Sequence, residues 1–82
     1  MEYYLTKHAN HRMIERGISI QLLNKALQNP TEILYDGNGR ELYKYIYIKR
    51  NEKRLLIVVV ISEKTKLKVI TVIDTSKIRK YI

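Results

Sequence analysis

Two histidines and several arginines are concentrated near the start of the chain, in the stretch "TKHANHRMIERGIS" (Thr6–Ser19). His8, Arg12 and Arg16 recur at four-residue spacing, which places them along one side of a helix. Histidine exchanges protons near neutral pH, and arginine holds a phosphate through two parallel hydrogen bonds. These are the groups that RNA cleavage without a metal needs: a base for the 2′-hydroxyl, a cation for the phosphate and an acid for the leaving oxygen. We therefore predict His8, Arg12 and Arg16 as candidate catalytic residues.

A helical projection separates this stretch into an apolar stripe and a polar cluster beside it. At about 100° per residue, Leu5, Ala9 and Met13 form the stripe that should face a sheet. His8 and Arg12 lie next to the stripe rather than opposite to it. We therefore expect both side chains to be half-buried where the helix meets the sheet.

The same residues are also compatible with purely structural roles. Glu15 can pair with His11 or Arg12 on the helix surface, and His8 can bond a strand as a semi-buried histidine often does. We interpret Glu15 and His11 first as supporting residues, and leave both interpretations of His8 and Arg12 open. His8, His11 and Glu15 could also hold one ion, but their order matches no standard zinc signature. No metal and no cofactor are predicted.

Helix signals define the elements that must position these residues. Thr6 is a suitable N-cap, the first helix should run to about Arg16, and Gly17 suits the left-handed position that ends it. Ser19 should cap a second helix, "IQLLNKALQ". This helix must stop before Pro30, because a residue preceding proline avoids helical geometry.

After Pro30 the hydrophobic period changes to two, which indicates strands. Four strands are predicted, in the segments "TEILYD", "ELYKYIYIKR", "RLLIVVVI" and "LKVITVID", with a short helical turn in "TSKIRKYI" at the end. Their short connections predict an antiparallel meander. The predicted fold class is α+β, with two N-terminal helices packed on one face of a four-stranded antiparallel sheet in a single domain, residues 1–82.

Strict alternation also predicts which strand residues share a face. Tyr43, Tyr45 and Tyr47 should lie together on the sheet face that the helices leave open. In the last strand, Val69, Thr71 and Ile73 should share one face.

The composition favours a polyanionic partner. The formal net charge is +8, with no cysteine, so disulfides and thiolate zinc sites are excluded. A lysine-rich surface from genome bias is an alternative explanation. No apolar run is long enough to span a bilayer, so we expect a cytoplasmic protein without a membrane partner.

The predicted nucleic-acid contacts are His11, Lys44, Tyr45, Lys49, Arg50 and Arg54. The tyrosines fit three uses: base stacking, ordinary cross-strand pairing, or an interface with a partner or a second copy.

Several motifs in order resemble a small prokaryotic family, DUF4258. They are "KHANHRMIERGIS", "LLNKALQNPTEI", a glycine-rich hairpin, "RLLIVVVI" and "KVITVI". That family looks like a relative of the RelE/ParE and BrnT toxins. The resemblance implies a RelE-like toxin fold and a metal-independent ribonuclease of a toxin–antitoxin pair. His8, Arg12 and Arg16 belong to the resembling frame, whereas His11 departs from it.

The partners implied by the resemblance are RNA or the ribosome and a cognate antitoxin, with the chain a monomer or a homodimer. Two alternatives stay open. One is a basic module that binds nucleic acid or protein without catalysis, and the other is a ParE-like gyrase inhibitor.

Overall fold

A computed structural model describes residues 2–82 and shows an α+β fold of five strands and three short helices. In chain order the elements are β1 (Tyr3–Leu5), α1 (Lys7–Arg16), α2 (Ile20–Gln28), β2 (Glu32–Tyr35), β3 (Glu41–Lys49), β4 (Glu52–Ser62), β5 (Leu67–Thr75) and α3 (Ile78–Tyr81).

The strands form one mixed sheet in the order β1-β5-β4-β3-β2. β1 is parallel to β5, and the other neighbours are antiparallel. The predicted architecture, two N-terminal helices on a four-stranded antiparallel sheet of RelE-like form, is therefore wrong. β1 has only three residues, too few to show an alternating pattern, and it pairs with a strand more than sixty positions away, for example Tyr3 with Leu67. Local sequence signals do not report such a long-range pairing.

Both predicted helix boundaries are confirmed. Thr6 caps α1, and Gly17 ends it with φ of 64°, a left-handed conformation that glycine adopts without a steric penalty. Ser19 caps α2, whose first-turn Leu22 N–H donates to the Ser19 hydroxyl at 3.1 Å.

A β-bulge in β5 ties α1 to the sheet. Val59 pairs with Thr71 and Val60 with Val69, so Ile70 is an extra residue without a partner on β4. Thr6 uses this irregularity: its N–H donates to the Val69 carbonyl, and its hydroxyl donates to the Ile70 carbonyl, each at 3.0 Å.

The same bulge makes the predicted face assignment of β5 wrong. Val69 and Val72 are both fully buried in the core under the helices, although they are three residues apart. One extra residue reverses the alternation beyond it.

We call the sheet surface covered by α1 and α2 the helix face. α1 packs on β5, and α2 packs on β3 and β4. Its buried core includes Ala9 and Met13 from α1, Leu23 and Leu27 from α2, and Val58 from β4. Because these side chains alternate with those of the other face, the sheet supports two cores.

The tyrosines of β3 lie on the helix face, so their predicted position on the uncovered face is wrong. Tyr43 is 7% exposed, and Tyr45 and Tyr47 pack partly buried against the same core. Alternation along a strand identifies residues that share a face, but the direction in which the helices fold over the sheet decides which face it is.

The opposite face holds a smaller core under α3. Leu55 and Ile57 are buried there, and Ile78 of α3 packs against them. Within residues 2–82, no helix combines the length and apolarity that crossing a membrane would take.

Candidate functional site

The position of α1 is set by its first turn. The Ala9 N–H donates to the Thr6 hydroxyl oxygen at 3.1 Å, while the same hydroxyl donates to Ile70 of the β5 bulge. Ala9 and Met13 then bury the apolar stripe against the sheet. The polar side of α1 is thereby held in one orientation along the edge of the helix layer.

Five residues of α1 line an open groove of about 500 Å³: Lys7, His8, His11, Arg12 and Glu15. Lys7 and Arg12 are cationic, and the two histidines become cationic when they are protonated. Glu15 is the only acid among the five. The groove is shallow and lies on one helix, so it suits an extended ligand better than an enclosed small molecule.

Arg12 is the half-buried member of this groove. Its Nε is buried and has no hydrogen-bond partner in the protein, the single such side-chain nitrogen or oxygen found among residues 2–82. A buried donor without a hydrogen-bond partner lowers the stability of the fold by about 1–3 kcal/mol, and such donors are rare in native proteins. Because Arg12 is only half-buried and lines the groove, its positive charge can still attract an anion there.

The two histidines are exposed, one helical turn apart. His8 was expected to be half-buried where the helix meets the sheet, and this expectation is wrong. Ala9 and Met13 face the sheet, and the His8 side chain points away from it. His11, interpreted first as a supporting residue, lines the groove beside His8. The groove therefore presents two proton carriers to a ligand rather than one.

Arg16 is not part of this groove. It is the last residue of α1 and is exposed. Of the three predicted catalytic residues, the structure brings His8 and Arg12 together and leaves Arg16 one turn beyond them. In residues 2–82, no three histidine, aspartate or glutamate side chains are grouped to hold a metal ion, the set His8, His11 and Glu15 included.

A second polar cluster lies on the helix face where β3, β4 and β5 meet. The Tyr47 hydroxyl donates to Asp74 Oδ1 at 2.6 Å, and Arg54 donates through Nε to Asp74 Oδ2 at 3.2 Å. Arg54 Nη1 also lies 3.2 Å from Glu52 Oε1. Burial raises the pKa of Tyr47 to about 12, and the hydrogen bond to Asp74 is the second largest cause of this increase.

This cluster uses Arg54 for internal pairing rather than for a ligand. Its guanidinium is shared between Asp74, whose side chain is 8% exposed, and Glu52. Lys49 and Arg50 line a neighbouring cleft of about 250 Å³ with these residues and are exposed at the β3–β4 turn. Of the predicted nucleic-acid contacts in this region, Lys49 and Arg50 are therefore the accessible ones.

Lys44 and Tyr45 are placed in the two cores. Lys44 is 5% exposed on the opposite face, where its ammonium donates to the Tyr81 carbonyl and lies 3.6 Å from Glu32 Oε2. Tyr45 is half-buried against the helix-face core. Neither side chain is presented to a nucleic acid on the protein surface.

Three residues of these clusters, Lys7, Glu52 and Asp74, were not predicted from the sequence. Lys7 lines the groove as the first residue of α1, and its basic charge next to His8 was a signal for it. Asp74 is a single acid at the end of the apolar run "KVITVID", which is the mark of a buried, paired carboxylate.

The chain belongs to the family described as Domain of unknown function (DUF4258), whose model matches residues 5–74. The matched range contains the groove, the bulge and the Tyr47–Arg54–Asp74 cluster, and it ends before α3. No curated relative and no solved structure matches the chain. The family description names no activity, so the toxin activity implied by the resemblance stays a prediction.

Proposed function

We propose that this protein is a metal-independent endoribonuclease, the toxin of a prokaryotic toxin–antitoxin pair, and that the α1 groove is where RNA is cleaved. The observation that carries the proposal is that Arg12 lies in the same groove as two exposed histidines, His8 and His11. The Arg12 guanidinium can pair with the phosphate of a phosphodiester, and the histidines supply the proton transfers that its cleavage needs.

The reaction assigned to the groove is attack of a ribose 2′-oxygen on the adjacent phosphorus. The P–O5′ bond breaks, and the products are a 2′,3′-cyclic phosphate and a free 5′-hydroxyl. His8 takes the 2′-hydroxyl proton, and His11 donates a proton to the leaving 5′-oxygen. Arg12 balances the negative charge that grows on the phosphoryl oxygens.

The positive charge of the protein also favours binding of RNA beyond the reacting phosphate. The net charge of +8 attracts a polyanion, and Lys7 extends the positive surface at the start of α1. Arg16, exposed one turn beyond Arg12, is assigned to the RNA backbone rather than to the reacting phosphate. With RNA as its substrate, the protein would act in the cytoplasm. An acidic segment of an antitoxin that covered the groove would block access of RNA to it.

The test is cleavage of end-labelled RNA, free and on ribosomes, in the presence of a chelator. We expect products ending in a cyclic phosphate, and no cut where the nucleotide before the scissile bond lacks its 2′-hydroxyl. His8→Ala, His11→Ala and Arg12→Ala should each lower the rate at least about 100-fold. Lys53→Ala, an exposed charge on β4, is the control.

A non-catalytic RNA-binding module is the second candidate, because the exposed histidines and the Arg12 donor also suit a phosphate that is only held. It predicts salt-dependent binding without products. Binding by wild-type protein with no cleavage, on free or ribosomal RNA, would replace the ribonuclease proposal with this one.

A further inference from the structure

A small pocket lies between β1 and α2. Its volume is about 170 Å³, and it is lined by Tyr3, Asn24, Leu27 and Gln28. We call it the amide pocket, after its asparagine and glutamine side chains. The α1 groove is lined by a different set of residues, all from α1, so the cleavage reaction assigned to the groove does not use this pocket.

A hydrogen bond between β1 and α2 fixes the shape of the amide pocket. The Tyr3 hydroxyl donates to Asn24 Oδ1 at 2.6 Å, and both residues are half-buried. This bond uses the oxygen of the Asn24 amide, so the two N–H donors on Nδ2 take no part in it. The pocket therefore has an oriented amide on its wall.

The lining of the amide pocket combines apolar surface with hydrogen-bonding groups. Leu27 is 3% exposed and gives an apolar wall, and Tyr3 gives an aromatic one. Gln28 follows Asn24 by four residues on α2, so the two amides project from the same side of the helix. Amide side chains pair with the edges of nucleobases, and aromatic side chains stack on their faces.

The charge of the lining distinguishes a base from a phosphate. Of the residues that the structure describes, no charged one lines the amide pocket. The α1 groove, in contrast, contains Lys7 and Arg12. In a protein with a net charge of +8, the groove suits the phosphate of a nucleotide and the amide pocket suits an uncharged ring.

The size of the amide pocket limits that ring. A cavity of about 150 Å³ is large enough to bind benzene. A pocket of about 170 Å³ therefore holds a six-membered ring with its exocyclic oxygen or nitrogen, but it does not enclose the two fused rings of a purine. This size selects a pyrimidine.

The amide pocket is close to the α1 groove along the chain. Tyr3 lines the pocket and Lys7 lines the groove. The two residues are four positions apart, and four residues of extended chain span at most about 14 Å. A strand of RNA with one phosphate in the groove can therefore reach the pocket with a base only a few nucleotides away.

We propose that the amide pocket binds one unpaired pyrimidine base of a single-stranded RNA. Asn24 Nδ2 donates to a carbonyl oxygen of the base, the Gln28 amide pairs with the neighbouring group on the same edge, and Tyr3 and Leu27 contact the ring. That this RNA is also cut in the α1 groove rests on the proposed ribonuclease function, whereas binding of the base does not.

Binding of nucleosides tests the pocket without any cleavage. Nucleosides carry no phosphate, so the basic groove does not attract them. The full chain labelled with nitrogen-15 is titrated with uridine, cytidine or adenosine while the side-chain amide signals of Asn24 and Gln28 are followed. Both signals should shift with uridine and cytidine, with dissociation constants on the order of 1 mM, and adenosine should bind at least about fivefold more weakly.

Two variants remove the proposed hydrogen bonds. Asn24→Asp keeps an acceptor for the Tyr3 hydroxyl but loses the Nδ2 donors, and Gln28→Ala removes an exposed amide. Each should weaken pyrimidine binding at least about fivefold. Gln21→Ala is the matched control, because Gln21 is an exposed amide about two turns earlier on the same side of α2 and does not line the pocket.

Three results of this titration would overturn the proposal. They are unchanged Asn24 and Gln28 signals with every nucleoside, adenosine binding as tight as that of the pyrimidines, and an equal loss of affinity in Gln21→Ala and Gln28→Ala. Circular dichroism of each variant establishes that it has folded.

The pattern of RNA cuts tests the link between the amide pocket and the groove. The wild type should cut at a fixed number of nucleotides from a pyrimidine, and Gln28→Ala should lower this preference at least about fivefold. Nucleoside binding without any RNA cleavage would contradict the ribonuclease function and leave the pocket assignment standing. Cleavage with no preference for pyrimidines would contradict the link.

Discussion

Arg54 and Asp74 form a bonded ion pair across β4 and β5: Arg54 Nε lies 3.3 Å from Asp74 Oδ1 and 3.2 Å from Oδ2. The Asp74 side chain is 8% exposed and that of Arg54 is 25% exposed. Tyr47 adds a third bond to the same carboxylate. This arrangement joins three strands on the helix face, so we assign the cluster to stability rather than to ligand binding.

Asp74→Ala should lower the free energy of unfolding by about 2–4 kcal/mol, because it leaves Arg54 and the Tyr47 hydroxyl without their shared acceptor. Urea denaturation measures the change. Glu52→Ala removes the exposed partner of Arg54 and should cost less than about 1 kcal/mol. Equal losses in the two variants would contradict the assignment of the buried pair as the stabilising one.

Tyr47 should make the protein sensitive to alkaline pH. Its folded pKa of about 12 lies above the ordinary value of 10.0, so the unfolded chain loses this proton first. The stabilisation is complete below about pH 10 and is lost as the pH rises toward 12. Burial also raises the pKa of Tyr43, so Tyr47→Phe should reduce the alkaline loss rather than abolish it.

Unfolding free energies measured between pH 9 and pH 12 check the Tyr47 prediction, with phenol absorbance followed in parallel. In the wild type, one late phenol should ionise near pH 12 and should be missing in Tyr47→Phe. A pH dependence identical in the two proteins would show that Tyr47 is not the group responsible.

Thr6 should matter more than an ordinary helix cap. Thr6→Val removes the acceptor for Ala9 N–H and the donor to Ile70, so we expect a loss of about 1–3 kcal/mol. Ser19→Ala, which removes the cap of α2 alone, should cost about 1 kcal/mol. Thermal unfolding compares them, and a Thr6→Val loss no larger than that of Ser19→Ala would argue against the tie to the bulge.

Lys44 and Lys7 should have separate roles despite their equal charge. Lys44→Ala removes the partner of the Tyr81 carbonyl and Glu32, so it should destabilise the fold by about 1–3 kcal/mol and speed amide exchange in α3. Lys7→Ala should leave stability nearly unchanged and weaken RNA binding with a smaller salt dependence. RNA affinity that falls more in Lys44→Ala than in Lys7→Ala would contradict these roles.

Local patterns predicted most of the elements but not their arrangement. Thr6, Gly17 and Ser19 identified both helix boundaries because capping and left-handed geometry depend on neighbouring residues. Three of the strands after Pro30 followed from their alternating residues, and β4 followed from the apolar run "RLLIVVVI". β1 was missed because three residues carry no period, and its parallel partner is remote in the chain.

The candidate site was predicted in part for the same reason. Helical spacing placed His8 and Arg12 on one side of α1, and they do line one groove. The exposure of His8 was not predicted correctly. The internal pairing of Lys44 and Arg54 was not predicted either, because most of their partners come from other elements of the fold.

The sequence by itself determined the charge, the helix ends, the periodic strands and the order of chemical groups along α1, since each depends on contacts within a few residues. The tertiary structure alone decided which face of the sheet the tyrosines of β3 occupy and how the bulge at Ile70 reverses the faces of β5. It also decided that Arg12 is the groove residue with an unpaired buried donor. These properties depend on how distant segments pack together, and one extra residue or one choice of sheet face changes them without altering any local pattern.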